Sequence, residues 1–186
     1  EGGGGRWPAV GETGAGDGTG RLAQSRGAPA RLANCSRLFI DTNRQPGAAA
    51  WIVGAADGVA IPGNADVDEA EKARRASASF WPYQNRVIRM IGEAEARAGV
   101  VALICIHSFT PVMDGFERPW HIGVLWNQDG RIARPLIKAL GQHPRVLVRD
   151  NKPSSRRQPP GCGPNVSGRA AGRPHVPLAL RHGLLH

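Results

Sequence analysis

The sequence predicts an α/β fold: one domain in which helices pack on a sheet. Three observations carry this. Two apolar runs, Val100–Ile106 and Ile122–Trp126, have the length and composition of buried strands. Two stretches, residues 68–97 and 130–140, space their apolar residues as amphipathic helices do. The two kinds of segment alternate along the chain, the order that lays helices on a sheet. A chain of 186 residues is long enough to bury one sizeable core.

Residues 1–30 read as a flexible lead-in. Nine of the first twenty residues are glycine, which costs backbone entropy and packs nothing. A short element at Gly20–Gln24 is the one exception. The domain proper then spans residues 31–186. Leu38, Phe39 and Ile40 suit a short strand, ending at Asp41, Asn43, Arg44 and a Gln45-Pro46-Gly47 turn. Asp57–Asn64 is a loop of turn residues. Asp66 or Asp68 caps a helix beginning at Glu69, and Pro82 kinks it or divides it in two before Arg97. Phe80, Trp81, Tyr83, Val87, Ile88 and Ile91 supply its apolar face. After the two apolar strands, Gly130–Leu140 forms a helix with Ile132, Leu136, Ile137 and Leu140 on one side. Val146–Val148 and Val176–Leu180 complete the strands, and residues 152–175 form a loop.

Composition excludes several classes. No apolar run reaches the length of a membrane span, and the first residues lack the order of a signal peptide. A cytoplasmic protein is therefore expected. Three scattered cysteines with no C-x-x-C argue against a disulfide framework or a zinc knuckle, and Cys105 reads as an inert buried thiol. The net charge of +9 is concentrated in residues 131–186, which hold eleven basic residues against one acid. Only three of the 24 basic residues are lysine. The tail lacks the dense clusters of a polyanion-binding segment, so no nucleic-acid partner is expected. Phosphate-binding and dinucleotide glycine motifs are absent, as is G-x-S-x-G.

The chemistry gathers around the apolar strands. Between them lie His107, Ser108, Thr110, Asp114, Arg118 and His121. An imidazole at a strand end suits a metal ligand or a general base, and equally a hydrogen-bonded structural residue. Arg37 and Arg44 flank Asp41; they fit either a carboxylate ligand or a structural ion pair with that acid.

Four blocks are more distinctive than their spacing: Cys-Ser-Arg-Leu-Phe-Ile-Asp-Thr-Asn-Arg at 35–44, Asp-Gly-Val-Ala-Ile-Pro-Gly-Asn at 57–64, Phe-Trp-Pro-Tyr at 80–83, and Ile-His-Ser-Phe-Thr-Pro-Val-Met-Asp-Gly with Arg-Pro-Trp-His-Ile-Gly-Val-Leu-Trp at 106–126. With them, the chain from about Ala28 onward resembles the N-formylglutamate amidohydrolase family. The resemblance implies a mixed sheet between helices, zinc-peptidase-like (phosphorylase/hydrolase-like), with zinc or another divalent metal at the strand ends. It implies hydrolysis of N-formyl-L-glutamate to formate and L-glutamate by metal-activated water, in histidine catabolism. On that resemblance His107 is a metal ligand. Arg37, Asp41, Asn43, Arg44, Asn64 and Asn151 line or brace a pocket for a small acidic N-acyl amino acid.

The sequence also departs from the family pattern. Gly2 stands where an N-terminal histidine ligand is expected, and nothing in Val10–Gln24 matches the family's next segment. Gln84 and Ser167 replace histidines, and Asn151-Lys152-Pro153-Ser154 replaces Asn-Glu-Pro-Tyr. Ala179 stands where the resemblance puts a glutamate, the candidate general base. These losses predict impaired catalysis. The alternatives are recruitment of His121 or His182 as ligands, or an inactive relative that still binds an acidic or N-acyl amino acid.

Overall fold

The computed structural model describes residues 16–113, 115–126, 129–150 and 173–182. Helix α1, Gly16–Ser25, lies within the expected lead-in and is longer than the short element anticipated there. Gly27, at a φ of +60°, closes it, with the Ala28 N–H returning to the carbonyl of Ala23.

The segment after it is not a strand. The Ser36 carbonyl accepts from the N–H groups of Phe39 and Ile40, and its hydroxyl accepts from Leu38 N–H. A serine able to bind the next turn of backbone competes with extension, and here it wins over the β propensity of Leu38–Ile40. Two short strands, β1 (Ala55–Ala56) and β2 (Val59–Ala60), form a hairpin, and a 3₁₀ turn at Pro62–Asn64 follows.

Asp68 caps α2 (Glu69–Arg75), accepting from Glu71 N–H at 2.8 Å. The helix runs through a π turn at Ala76–Phe80 into α3 (Trp81–Ala98). Pro82 has no N–H to give to the preceding turn, and the wider π turn lies directly before it. Gly99, at a φ of +74°, ends α3.

The central sheet has the order β3 (Leu103–Phe109), β8 (His175–Arg181), β6 (Ile122–Val124), β7 (Val148–Asp150). It is mixed: β3 runs parallel to β8, β8 antiparallel to β6, and β6 parallel to β7. A small hairpin, β4 (Val112–Met113) with β5 (Phe116–Glu117), follows β3, and α4 (Ala133–Gly141) precedes β7.

Strand alternation divides the sheet into two faces. Leu103 and Cys105 pack with Tyr83, Val87, Met90 and Ile91 of α3. Ile104, Val124, Val176 and Leu178 pack with Ala133, Leu136, Ile137 and Leu140 of α4. The sheet is thus held between two helices. A separate apolar cluster of Ile40, Trp51, Ala76 and Phe80 lies under the irregular segment, with Trp51 and Phe80 in edge contact at 5.4 Å. Cys105 is disulfide-bonded, which corrects the inert thiol expected from its place in an apolar strand. Scattered spacing carries no information about pairing in space. Among the described residues no helix is long and apolar enough to cross a membrane.

Candidate functional site

The polar part of the site is built on residues 37–44. Asp41 is buried, with its N–H bonded to the carbonyl of Trp51 at 2.8 Å. Its carboxylate accepts from Asn43 N–H at 2.8 Å, lies 3.1 Å from the Arg37 guanidinium and 3.7 Å from Arg44 Nε. The ion pair expected as one reading of Arg37 and Asp41 is therefore present, and Arg44 shares it. Two cations converge on one carboxylate, which leaves one positive charge in excess at this point of the surface. Burial pushes the Arg44 guanidinium below its ordinary pKa; Asp41 opposes that shift and Arg37 adds to it. Arginine remains charged at neutral pH all the same.

Asn64 is committed to bracing. Its amide nitrogen donates to the carbonyls of Leu38 at 2.7 Å and Val53 at 2.8 Å, and its oxygen accepts from Arg75 at 2.6 Å. Both amide protons are in use, so Asn64 holds the shape of residues 38–41. Arg75, which sequence reasoning did not single out, completes this frame. Its buried guanidinium also donates to the carbonyls of Phe39 and Gly63 and to Glu71, and stacks over the Phe39 ring at 4.8 Å. Its backbone partners lie 36 and 12 residues away in sequence, so no local pattern announces it.

Helix α3 joins this frame to the sheet. Tyr83 packs with Leu103 and Cys105, on the face of β3 that also carries His107. Its neighbour Gln84 is fully buried and donates to the carbonyl of Thr42 at 2.7 Å. His107 lies within β3, not after it, and is half-buried. The ladder sets Ala179 of β8 directly beside His107, and Gly123 of β6 beside Ala179. Neighbouring positions across a sheet share a face at about 4.8 Å spacing. A methyl group thus stands next to the imidazole where the resemblance puts a carboxylate. Ala179 is buried with Phe109, Trp120 and Leu125.

The other expected histidines do not gather here. His121 Nδ1 accepts from Leu147 N–H at 2.8 Å, so that nitrogen is engaged in holding the backbone. His182 is exposed at the end of β8, its N–H bonded to the carbonyl of Phe109. Gly2, Asp114, Asn151, Lys152, Pro153, Ser154 and Ser167 lie outside the described residues. A catalytic metal takes about three protein ligands. Among the described residues no three His, Cys, Asp or Glu side chains come together. This donor set does not fit a metal ion, and no chemical step is derived through one.

Comparison with known proteins gives a consistent picture. None of the proteins of curated function matches the chain in sequence. The fold is similar to the crystal structure of a gene product from Agrobacterium tumefaciens, with a TM-score of 0.82 at 26% identity, over 98% of this chain and 82% of that one. It is also similar in fold to an N-formylglutamate amidohydrolase from Ralstonia eutropha, with a TM-score of 0.58 at 17% identity, over 96% of this chain and 82% of that one. The family model for N-formylglutamate amidohydrolase matches residues 16–185, so that the arginine segment, the His107 strand and the Ala179 strand all fall within one family domain, and the chain belongs to the N-formylglutamate amidohydrolase family.

Proposed function

We propose that this chain binds an acidic N-acyl amino acid, with N-formyl-L-glutamate as the reference ligand, and that its hydrolytic step is impaired. The observation that carries the binding half is the convergence of Arg37 and Arg44 on the single carboxylate of Asp41. The excess positive charge calls for an anion, and arginine's planar fork matches a carboxylate. Asn43, held by Asp41 through its N–H, presents its amide beside Arg44. Zinc or another divalent metal would supply an activated water if it bound, as the family resemblance implies. The described residues offer His107 toward it without two companions.

The second half rests on Ala179. A methyl group has no proton to exchange, so a base that draws a proton from water is missing at the position beside His107. The test is direct. Ligand binding is measured by calorimetry, and formate release is assayed with and without added zinc or cobalt. Expected are heat of binding, a loss of about tenfold in affinity for Arg44→Ala, and no formate above background. Formate release that disappears in His107→Ala would overturn the impairment. Absence of binding would overturn the ligand.

A further inference from the structure

We infer that Gln84 reads the amide N–H of the bound N-acyl amino acid, so that it separates an amide-bearing diacid from a plain one. The inference rests on the ligand reading above and deepens it.

The orientation of the Gln84 carboxamide is fixed by chemistry. Its partner, the Thr42 carbonyl, can only accept, so the NH₂ group must face it at 2.7 Å. The Gln84 oxygen then points elsewhere, and there it is enclosed with no hydrogen-bond partner. Gln84 has no exposed surface, so this acceptor is not served by bulk water. Asn43, the residue after Thr42, has an oxygen in the same condition. Arg44 Nε is an enclosed donor, 3.7 Å from the Asp41 carboxylate and beyond hydrogen-bonding distance.

Two unmet acceptors and one unmet cationic donor therefore sit on or against three consecutive residues, Thr42–Arg44. Buried polar atoms in native proteins find partners, and an unmatched group signals a missing one. The complementary molecule must present an N–H and a carboxylate close together. An N-acyl α-amino acid does so, because its amide nitrogen and its α-carboxylate share one carbon. A diacid without the amide satisfies Arg44 and leaves both oxygens unmet. Because the oxygens are enclosed without ligand, binding parts Asp41–Arg44 from the first turns of α3 and replaces that closed contact. Glutamine is neutral at all working pH values, so the discrimination does not titrate at this residue.

The experiment is calorimetry on the full chain with N-formyl-L-glutamate and with glutarate, which has two carboxylates and no N–H. The wild type is expected to prefer N-formylglutamate by about tenfold or more. Gln84→Met should cut that preference to about threefold or less while glutarate affinity stays within about twofold. The retained glutarate affinity shows that the fold and the arginine segment survive. Gln84→His gives a second reading: a neutral ring accepts and a charged ring does not. Its preference should persist at pH 8 and vanish at pH 5.5. An unchanged preference in Gln84→Met, or a pH-independent one in Gln84→His, overturns the role of Gln84 alone. No binding of either diacid by the wild type removes the ligand reading, and this inference with it.

Discussion

The arginine segment and the central sheet are built on opposite principles. Around residues 36–64 the backbone is irregular, and side chains dictate its path: Ser36, Asp41, Asn64, Arg75 and Gln84 each hold main-chain groups. In the sheet the backbone holds itself. The ladder between β3 and β8 runs through seven paired positions and needs no particular side chain. The contrast explains how chemistry can leave a site without disturbing its scaffold. Alanine at position 179 keeps register with His107 because the ladder is indifferent to what the side chain carries. A comparable loss at Asn64 or Arg75 would release the loop. Side-chain-built regions are hard to alter piecemeal, and ladder-built regions are not.

The strongest way to break this contrast is Arg75→Ala. It strips donors from the Phe39 and Gly63 carbonyls and from Asn64, and leaves Glu71 with one arginine partner fewer. Removing one member of a buried charged network costs about 3–5 kcal/mol. Urea denaturation should show a loss of that size, and a loss below about 1 kcal/mol would mean that the side chains do not dictate the loop. Ala179→Glu probes the other side. The ladder should survive, and the cost should come from placing a carboxyl group among Phe109, Trp120 and Leu125. A destabilisation of about 1–3 kcal/mol is expected, with no formate release. A stable variant that releases formate would show that the sheet had kept everything but its base.

The smallest effect sharpens the comparison by pH. Hydrogen bonds from Arg74 and Arg75 hold the Glu71 carboxyl down at about 2, against an ordinary value of 4.5. A depressed carboxylate stabilises the fold above its unfolded value and loses that contribution as pH falls through the folded one. Melting temperature should therefore fall between about pH 4.5 and 2, and the fall should be shallower in Glu71→Gln. Asp129, held at about 2 by Arg131 near α4, titrates over a similar window. The difference between the wild type and Glu71→Gln isolates the frame of the arginine segment. Equal slopes would place the acid sensitivity elsewhere.

Much of the sheet and helices was legible because their signals are periodic and local. Asp68 as a cap, the interruption before Pro82, the apolar face of α4 and the strand containing Val176–Leu180 all follow from neighbours in sequence. Leu38–Ile40 misled for the same reason. Their β propensity is local too, but one serine hydroxyl and carbonyl captured the backbone first. Of the candidate site residues, Arg37, Asp41, Asn43 and Arg44 were found together because they are consecutive. Asn64 was legible as a site residue but not as a brace, since its partners are 11 and 26 residues away. Asn151 lies outside the described residues. Gln84 stood out only as a replaced histidine, and its bond to Thr42 spans 42 residues.

The sequence by itself determined the α/β order, the family blocks, and the residue types available to a site: arginines without a metal-binding trio, and alanine where a carboxylate is expected. These are matters of composition, periodicity and motif, which a linear string carries in full. Only the tertiary structure decided that Ala179 stands beside His107, that two arginines share Asp41, and that Asn64, Arg75 and Gln84 hold the segment between them. Strand register and buried hydrogen bonds join residues dozens of positions apart. Their partners are chosen by how the elements pack, and that choice has no local signature.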